Sequence, residues 1–455
     1  MSDASIILPP LDLGFRPAAA FNADYRASVA AVGSQAKLLL AVERNNGGVT
    51  RHEVPIRDDA AAETLLYAER LAKFILWAWG GHTLYVAGPK AVADYISATY
   101  SATGARAFDV GIMTKIYGRP FAVKTVAPEA VPAEKEVTER VGGNLTGCRI
   151  GFDLGASDYK VAAVKDGEVL YSDEFPWNPR VESDPSYHYN HLKSGLEAAA
   201  KHLPRVDGIG GSSAGVIVDN QYRVASLLRS IPADKMGEAA GIFDRIGREW
   251  NVPLVVLNDG DVSALAGALS LESNGIMGMA LGSSEAVGFI DKAGHFGGWL
   301  NELAFVPIDY NKSAPPDEWS GDIGVGALYF SQQAVNKLLP SAGIELPAEM
   351  ALPERLVQVQ ELMAKGDIRA RRIYESIGVY LGYGLAHYAE FYDFHKVLML
   401  GRVMTGDGGL IIIEEGRRVL KSRFPELSKR IAVELPDERS RRVGQAVAAA
   451  SLPMF

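Results

Sequence analysis

Cysteine is almost absent from this chain, since Cys148 is the only one among its 455 residues. A single thiol excludes an intrachain disulfide framework and every zinc site that needs several cysteines. No stretch reaches the roughly 18 to 20 consecutive apolar residues that a membrane-spanning helix needs. The N-terminal stretch lacks the basic region and the long apolar core of a secretory signal peptide. We therefore expect a cytoplasmic protein without a membrane partner.

An excess of positive charge is absent as well, because the formal net charge is −9. Non-specific binding to nucleic acid depends on a basic surface, so we expect no nucleic-acid partner. The content of 48% hydrophobic and 22% charged residues is typical of a globular protein with an ample core. The length predicts two to three domains.

The stretch Arg149–Tyr171 reads as three strands joined by two turns. Asp153 ends the first, apolar strand, and Gly155 follows two residues later. A glycine bend lets main-chain N–H groups face an anion, while Ser157 and Lys160 add a hydroxyl donor and a positive charge. A carboxylate beside such a turn is what a Mg²⁺-nucleotide site needs. The alternative is an ordinary hairpin corner that binds nothing.

Composition divides the chain into several parts. The predicted parts are an N-terminal α/β domain at 1–125, a linker rich in proline and charge at 126–147, a first lobe at 148–260 together with a C-terminal helix at 436–455, and a second lobe at 261–435. Within the N-terminal part we expect a strand at Ser28–Val42 and an extended stretch at Ala105–Val126.

The N-terminal part has the outline of a repeat. The segment from Ala31 to Ile56 resembles the stretch that begins at Asp153, and each is followed by a helix, a short strand and a glycine-containing turn. Ala31 stands where the second copy has Asp153, so the first copy would have the fold without the carboxylate. A degenerate repeat is one interpretation, and chance similarity of two such units is the other.

Polar or glycine residues follow several further apolar strands. Ser213, Asp259, Ser283 and Gly401 each stand where a strand gives way to a turn. In an open α/β sheet, ligands bind beyond the carboxyl ends of the strands. Together with Asp153, these residues are therefore expected to line one binding site.

Seven motifs, in the order of the chain, resemble those of a known family over about residues 148–455. The first three are DLGASDYK, similar to a first phosphate motif, GGSSAGVIVD, similar to a turn beside the sugar, and VPLVVLNDGDVSALAGAL, similar to the segment of a catalytic aspartate. The last four are ALGSSEAVGFI, similar to a second phosphate motif, LNELAF, similar to a sugar-binding glutamate segment, VLMLGRVMTGDGG, similar to an adenosine motif, and RRVGQAVAAAS, similar to the terminal helix. The family is the ROK (repressor, open reading frame, kinase) and hexokinase branch of the actin, sugar kinase and Hsp70 ATPase superfamily. The resemblance implies a two-lobed, ribonuclease H-like α/β fold with an extra N-terminal domain.

The resemblance also implies roles for individual residues, with ATP and Mg²⁺ as cofactors. Asp259 would be the general base, and Asp153 would organise Mg²⁺ through water. The sugar would contact Asn258, Glu302 and Ser213. The phosphates and the adenosine would be held by Gly155, Ser157, Lys160, Gly282, Ser283, Gly401 and Gly406. The alternative readings are an N-cap for Asn258, a plain turn for Ser283, a solvated strand residue for Lys160 and a surface acid for Glu302.

Two departures from the family pattern bear on activity. Phe305 stands where ROK proteins have a zinc-binding histidine, and no cysteine cluster follows, so we expect no zinc. Glu285 lies in the second phosphate motif, where its charge would oppose phosphate unless the side chain points away.

The sequence therefore favours ATP-dependent phosphorylation of a hydroxyl group on a sugar or sugar-like substrate, and the family allows a homodimer. The alternative is a non-catalytic sugar- or nucleotide-binding sensor of the same fold. A ROK-type repressor would need a basic helix-turn-helix, whereas residues 1–125 read as strands with balanced charge.

Overall fold

The structure, a computed structural model, describes residues 6–32, 35–138, 142–436 and 438–454. Several predicted features extend outside these residues: the N-terminal domain at 1–5 and 33–34, the strand Ser28–Val42 and the repeat at 33–34, the linker at 139–141, and the C-terminal helix at 437 and 455. None of the helices in the described ranges combines the length and the apolar composition needed to cross a membrane.

The N-terminal part alternates helices and strands. Its elements are α1 (Ala18–Ala31), β1 (Gln35–Glu43), β2 (Val49–Arg57), α2 (Ala62–Trp79), β3 (Thr83–Ala87), α3 (Lys90–Thr99), α4 (Ala107–Tyr117) and β4 (Ala122–Thr125). The four strands form one sheet in the order β2-β1-β3-β4. Almost all of α2 is buried, including its charged residues Glu69, Arg70 and Lys73.

The middle of the chain is richer in strands. Its elements are β5 (Cys148–Leu154), β6 (Asp158–Lys165), β7 (Glu168–Pro176), α5 (Pro185–Ala200), β8 (Gly208–Ser213), β9 (Val216–Val218), β10 (Gln221–Val224), α6 (Met236–Ala240), α7 (Ile242–Trp250), β11 (Leu254–Asn258), α8 (Asp259–Leu271), β12 (Ile276–Leu281) and β13 (Glu285–Ile290). A hairpin turn at Asp219 and Asn220 joins β9 and β10, and the two residues have positive φ angles of 54° and 56°.

The last part is mostly helical. Its elements are α9 (Gln332–Ala342), α10 (Leu352–Ala364), α11 (Ile368–Tyr388), β14 (Lys396–Leu400), α12 (Asp407–Arg423), α13 (Pro425–Arg430), β15 (Ala432–Glu434) and α14 (Glu438–Ala450). Short 3₁₀ helices lie at Pro128–Ala130, Pro179–Val181, Ser226–Leu228, Leu303–Phe305, Gly326–Leu328 and Arg402–Met404. The chain is thus of the mixed α/β class, as predicted.

The chain divides into two compact units. Unit 1 contains Met1–Val137, Met279–Val287 and Gly297–Leu435, and unit 2 contains Thr138–Gly278, Gly288–Phe296 and Pro436–Phe455. The N-terminal part therefore belongs to the same compact unit as most of the residues from 297 to 435. An extra N-terminal domain is not confirmed, and the predicted domain boundaries stay predictions.

A five-stranded sheet organises unit 2, with the order β11-β8-β5-β6-β7. β5, β8 and β11 run parallel, whereas β6 and β7 pair antiparallel. Alternate side chains of β5 point to opposite faces. One face, with Ile150, Phe152 and Leu154, joins a hydrophobic core.

The opposite face of this sheet is covered by α14 at very short range. A Cβ atom placed on Gly151 would lie 1.6 Å from the carbonyl oxygen of Ala446, and one on Gly210 would lie 1.7 Å from that of Ala449. Only residues without a side chain fit here. The two glycines therefore allow the backbone of α14 to rest directly on β5 and β8.

A further sheet has the order β13-β12-β14-β15. The chain changes from one unit to the other within β12 and within β13. β14 is followed by Gly401, whose φ of 92° is in the region that favours glycine. A Cβ atom there would lie 2.4 Å from the carbonyl oxygen of Leu281, so the ends of β12 and β14 are close together.

Two expectations for the N-terminal part are wrong. The predicted strand Ser28–Val42 begins inside helix α1, and the strand starts only at Gln35. The predicted extended stretch Ala105–Val126 contains helix α4, whose Asp109 is buried against Lys73 and Trp77. These partners are distant in sequence, so tertiary packing overrides the local pattern.

The two halves of the suggested repeat differ in topology. The order hairpin, helix and short strand is present in both, but β3 pairs antiparallel with β1, whereas β8 pairs parallel with β5. Ala31, the counterpart of Asp153, ends a helix. The strand that carries the carboxylate in the second half therefore has no counterpart in the first.

Candidate functional site

Three neighbouring parallel strands of unit 2 bring polar residues to one edge of the sheet. The register pairs Asp153 with Ser212, and Ser213 with Asn258, at the carboxyl ends of β5, β8 and β11. Asp259 follows directly as the first residue of α8. Asp153, Ser213 and Asp259 therefore lie at the edge where an open α/β sheet binds ligands, and their role in a binding site stays a prediction.

Asp153 is a perturbed carboxyl group. Burial raises its pKa from 3.8 to about 6, and the negative charge of Asp259 acts in the same direction. The Ser212 hydroxyl donates a hydrogen bond of 2.6 Å to Asp153 Oδ1, which partly opposes the shift. A divalent cation bound at Asp153 would offset the negative charge of Asp259, and Mg²⁺ takes one or two carboxylates together with phosphate oxygens, so Asp153 fits this ion.

Ser212 was missed in the sequence, where Ser213 was chosen instead. Ser213 is fully buried, and its hydroxyl lies 2.6 Å from that of Tyr222. Because successive residues of a strand point to opposite faces, Ser212 shares the face of Asp153 and Ser213 points into the core. The alternation of side chains along the strand is the signal in the sequence that could have identified Ser212 as the neighbour of Asp153.

Asn258 caps helix α8, as the alternative reading predicted. Its Oδ1 accepts a hydrogen bond of 2.7 Å from the Gly260 amide, and its side-chain amide donates to the Gly215 carbonyl at 2.9 Å. Both ends of the side chain are thus fixed. Its predicted contact with a sugar stays a prediction.

Asp259 is held at the start of the same helix. One carboxylate oxygen accepts from the Gly260 amide at 3.0 Å, and burial raises the pKa of the carboxyl group. Gln445 lies in α14. Its side-chain amide donates to the Asp259 carbonyl oxygen at 3.0 Å and to Ser263 Oγ at 2.6 Å. Gln445 was not singled out in the sequence, and it ties Asp259 to the helix that covers the sheet.

Polar groups of the turn after Asp153 form hydrogen bonds within the hairpin itself. The amide of Gly155 donates to the carbonyl oxygen of Asp158 at 3.0 Å, so this N–H closes the hairpin and does not face an anion. The Ser157 hydroxyl donates to Asp158 Oδ2 at 2.8 Å. The Gly155 amide itself is thus used by the hairpin, and the predicted contact of this turn with phosphate stays a prediction.

Lys160 is the cross-strand partner of Asp153, so the two side chains share a face. Its ammonium group lies 3.9 Å from Asp158 and 3.8 Å from Glu174, with 47% of the side chain exposed. This is the geometry of a solvated strand residue. Its positive charge still lowers the pKa of Asp153, though less than burial raises it.

In unit 1, the glycine turns after β12 and β14 lie together. The Gly282 amide donates to the Ser284 carbonyl at 3.0 Å, and the Gly282 carbonyl accepts from the Gln332 amide at 2.9 Å. Ser283 is exposed at the tip of the turn. Gly401 follows β14, and Gly406, with φ 72°, precedes α12. Their roles towards nucleotide stay predictions.

Glu285 points away from the turn. Its side chain is buried, and Oε1 accepts a hydrogen bond of 2.8 Å from the hydroxyl of Tyr388. Oε2 occupies the space beside Gly326, where a Cβ atom would lie 2.2 Å away, and it accepts no hydrogen bond from the described residues. Burial, aided by the charge of Glu302, raises the pKa of Glu285 to about 8. The carboxyl group is therefore neutral at pH 7 and does not oppose phosphate.

We expect the variant Glu285→Gln to gain stability relative to the wild type as the pH rises. The folded chain keeps the Glu285 proton up to about pH 8, whereas the unfolded chain releases it near 4.5. The unfolded chain thus binds fewer protons in this window, and wild-type stability falls as the pH rises through it. Gln does not titrate, so urea unfolding at about pH 5 and about pH 8.5 should show the widening difference.

The exposed Glu345 provides the control for this variant. Glu345→Gln should give the same difference from the wild type at both pH values. A pH-independent difference for Glu285→Gln would show that Glu285 is ionised in the fold.

Glu302 lies in a segment that runs along the end of helix α2. Its amide donates to the Trp77 carbonyl at 3.1 Å, and its carbonyl accepts from the Phe305 amide at 3.2 Å. Phe305 is buried, with its ring centroid 4.4 Å from that of Trp77 and 5.1 Å from that of Trp319. Phe305 therefore fills the core and is not a surface for stacking.

The residues around Phe305 do not fit zinc. The segment that follows, residues 306–325, contains no cysteine and no histidine. Across the described ranges, no three His, Cys, Asp or Glu side chains form a group that could hold a metal ion. Mg²⁺ needs fewer protein ligands than such a group of three provides, because one or two carboxylates suffice when phosphate oxygens complete its coordination shell.

No family model and no curated protein sequence matches the chain. Several solved structures are similar to the chain. A ROK hexokinase from Thermus thermophilus is similar at 17% identity and a TM-score of 0.52, over 66% of this chain and 97% of that one. A ROK family glucokinase from Streptomyces griseus, in complex with glucose and AMPPNP, is similar at 18% identity and a TM-score of 0.50, over 67% and 98%.

One similar structure is not a kinase by description. It is a ROK family transcriptional regulator, a homologue of the E. coli MLC protein, at 18% identity and a TM-score of 0.52, over 68% of this chain and 79% of that one. At these identities the likeness concerns the fold. The chain has the fold of the ROK family kinases and hexokinases, sugar kinases of the actin-like ATPase superfamily.

Proposed function

We propose that the protein transfers the terminal phosphoryl group of ATP to a hydroxyl group of a sugar or sugar-like molecule. The observation that carries this proposal is the pair of half-buried carboxylates, Asp153 and Asp259, at the carboxyl ends of β5 and β11, two parallel strands that flank β8. Burial raises the pKa of both groups. Burying two interacting carboxylates is costly, and such pairs cluster at functional sites.

Asp259 would act as the general base. A carboxylate with a raised pKa accepts a proton more readily, so Asp259 can take the proton of the acceptor hydroxyl as the new P–O bond forms and ADP leaves. The helix cap at Asn258 and the contact from Gln445 hold Asp259 in place. Asp153, oriented by Ser212, would hold Mg²⁺, which when bound neutralises phosphate charge.

Further ligand contacts are proposed from the family resemblance alone. Glu302 would accept hydrogen bonds from sugar hydroxyls, and the turns at Ser283, Gly401 and Gly406 would contact the nucleotide. The glucose and AMPPNP in the Streptomyces griseus glucokinase structure support sugar and ATP as the ligand classes. Cytoplasmic location and a homodimer stay predictions.

The second candidate function is a non-catalytic sensor that binds a sugar or a nucleotide. The amide of Gly155 donates within its hairpin and the hydroxyl of Ser213 lies 2.6 Å from that of Tyr222, so both groups already have partners inside the protein. A transcriptional regulator also occurs among the similar structures. These observations favour binding without turnover.

The test is ADP release from Mg-ATP with a panel of hexoses, amino sugars and polyols, alongside calorimetric binding of each sugar and of AMPPNP. Release that depends on one class of sugar and disappears in excess EDTA would support the kinase and name its substrate class. Binding of sugar or AMPPNP without release would instead support the sensor.

A further inference from the structure

A buried cluster of six charged side chains lies in unit 1, outside the carboxylate pair of unit 2. Helix α2 contributes Glu69, Arg70 and Lys73, the region of α4 contributes Arg106 and Asp109, and the segment after Glu302 contributes Asp322. Lys73 is fully buried, and the most exposed of the six side chains, that of Arg106, is 14% exposed.

Asp322 is the centre of this cluster. Its carboxylate lies 2.6 Å from Arg106, 2.8 Å from Lys73 and 3.1 Å from Arg70. Burial raises the pKa of Asp322, but the positive charges of Arg70 and Lys73 outweigh it, so the pKa is lowered. The carboxylate is therefore ionised and joins α2 and α4 to the segment around residue 322.

The other anions complete the balance of charge. Glu69 lies 2.6 Å from both Arg70 and Arg106, and Asp109 lies 3.0 Å from Lys73. Three cations thus face three anions. Removing one partner of a buried ionic group leaves an uncompensated charge, which is strongly unfavourable.

The same helix also holds the backbone beside Glu302. The last carbonyl groups of α2 accept three successive amides: Trp77 from Glu302 at 3.1 Å, Ala78 from Asn301 at 2.9 Å, and Trp79 from Leu300 at 3.3 Å. The indole N–H of Trp77 donates to Asp109 at 2.5 Å. One turn of α2 therefore contacts the Glu302 segment and, through Trp77, the ionic cluster.

The segment that follows Glu302 is closed at its base. The Gly326 amide donates to the Val306 carbonyl at 3.0 Å, and the Ile308 amide donates to the Gly324 carbonyl at 2.7 Å. Asp322 is two residues before Gly324, and Val306 is four residues after Glu302. Asp322 is thus connected to the Glu302 segment by two routes, the loop base and helix α2.

We propose that Asp322 is a positioning residue for Glu302, and that helix α2 is the rigid element on which it acts. The ionic cluster fixes α2 against the loop at residues 306–326, and α2 in turn fixes the amides of Leu300, Asn301 and Glu302. The effect on sugar binding rests on the proposed function, because the contact of Glu302 with sugar is part of it. The effect on the Glu302 backbone does not.

The first test is hydrogen–deuterium exchange of the full chain under native conditions. The variants are Asp322→Asn and the double variant Asp322→Asn/Lys73→Met, which restores equal numbers of cations and anions and keeps the test possible if the single variant does not fold. We expect the peptide containing Leu300, Asn301 and Glu302 to exchange at least about tenfold faster in either variant. The exposed pair Lys90–Asp94 supplies the control, since Asp94→Asn should leave this exchange unchanged.

The second test separates positioning from general stability. With the hexose that gives the highest kcat/KM in the panel, we expect a rise of about tenfold or more in the KM for sugar at an unchanged KM for ATP. A merely structural role would lower kcat with the folded fraction and leave both KM values unchanged.

Failures of the two proposals are distinguishable. Unchanged exchange at residues 300–302 in a folded variant would overturn the positioning role whatever the activity. Faster exchange with an unchanged sugar KM would overturn the role of Asp322 in sugar binding. A wild type that releases no ADP would overturn the kinase, while the exchange result would still decide whether Asp322 positions this segment.

Discussion

Replacing Asp259 with Asn is expected to lower turnover by about 10²- to 10⁴-fold, while sugar and AMPPNP still bind. An amide cannot accept the proton of the attacking hydroxyl, but its oxygen can still accept the hydrogen bond from the Gly260 amide. The geometry at the start of α8 should therefore persist. ADP release measures the loss, and calorimetry measures the retained binding.

The stability of this variant gives a second readout. Burial raises the pKa of Asp259, so the ionised carboxylate is less favourable in the fold than in the unfolded chain at pH 7. The neutral amide removes that cost, and we expect Asp259→Asn to unfold at the same or a higher temperature than the wild type. The exposed Asp234 offers the same chemical change as a control, and Asp234→Asn should turn over normally. Normal turnover in Asp259→Asn would show that Asp259 is not the base.

Replacing Gly210 with Ala is expected to give the largest loss of stability. The new Cβ atom would lie 1.7 Å from the carbonyl oxygen of Ala449 and 3.2 Å from the amide nitrogen of Ala450. Both are backbone atoms of α14, so no side-chain rotation can make room and the helix itself must move. We expect the free energy of unfolding to fall by at least about 3 kcal/mol, measured by urea unfolding followed by circular dichroism.

Gly237 is the matched control for this substitution. It lies in helix α6 of the same unit and is exposed, with no atom within 4 Å of a Cβ atom placed on it. Gly237→Ala should be neutral or stabilising by about 0.5 to 1 kcal/mol, because alanine is the better helix former. Equal effects of the two substitutions would contradict direct packing of α14 on the sheet.

The positions where strands end could be predicted, because a carboxyl end leaves a local pattern. An apolar run followed by a polar or glycine residue marked Asp153, Asn258 and Gly401, and the structure has strands ending at or beside all three. Ser213 was chosen where Ser212 faces Asp153. Side chains of successive strand residues point to opposite faces of the sheet, so only one of two adjacent serines can face Asp153.

The contacts that depend on distant residues could not be predicted. Glu69, Arg70 and Lys73 look like the solvated face of a helix, yet they are buried because Asp322 lies beside them, 252 residues away from Arg70 in the chain. Helix α4 was missed for the same reason. From the sequence, the charge of Glu285 was expected to oppose phosphate at the neighbouring turn unless the side chain points away. Its side chain accepts a hydrogen bond from the hydroxyl of Tyr388, which is 103 residues further along the chain.

The packing of α14 on Gly151 and Gly210 has a consequence for synthesis on the ribosome. Arg149 of β5 and Ala450 of α14, joined by a hydrogen bond, are 301 residues apart in the chain. At about 5 to 20 residues per second, β5 is made roughly 15 to 60 s before the helix that covers it. During that interval the face of the nascent sheet that α14 will cover is exposed, and exposed sheet surface is prone to aggregate.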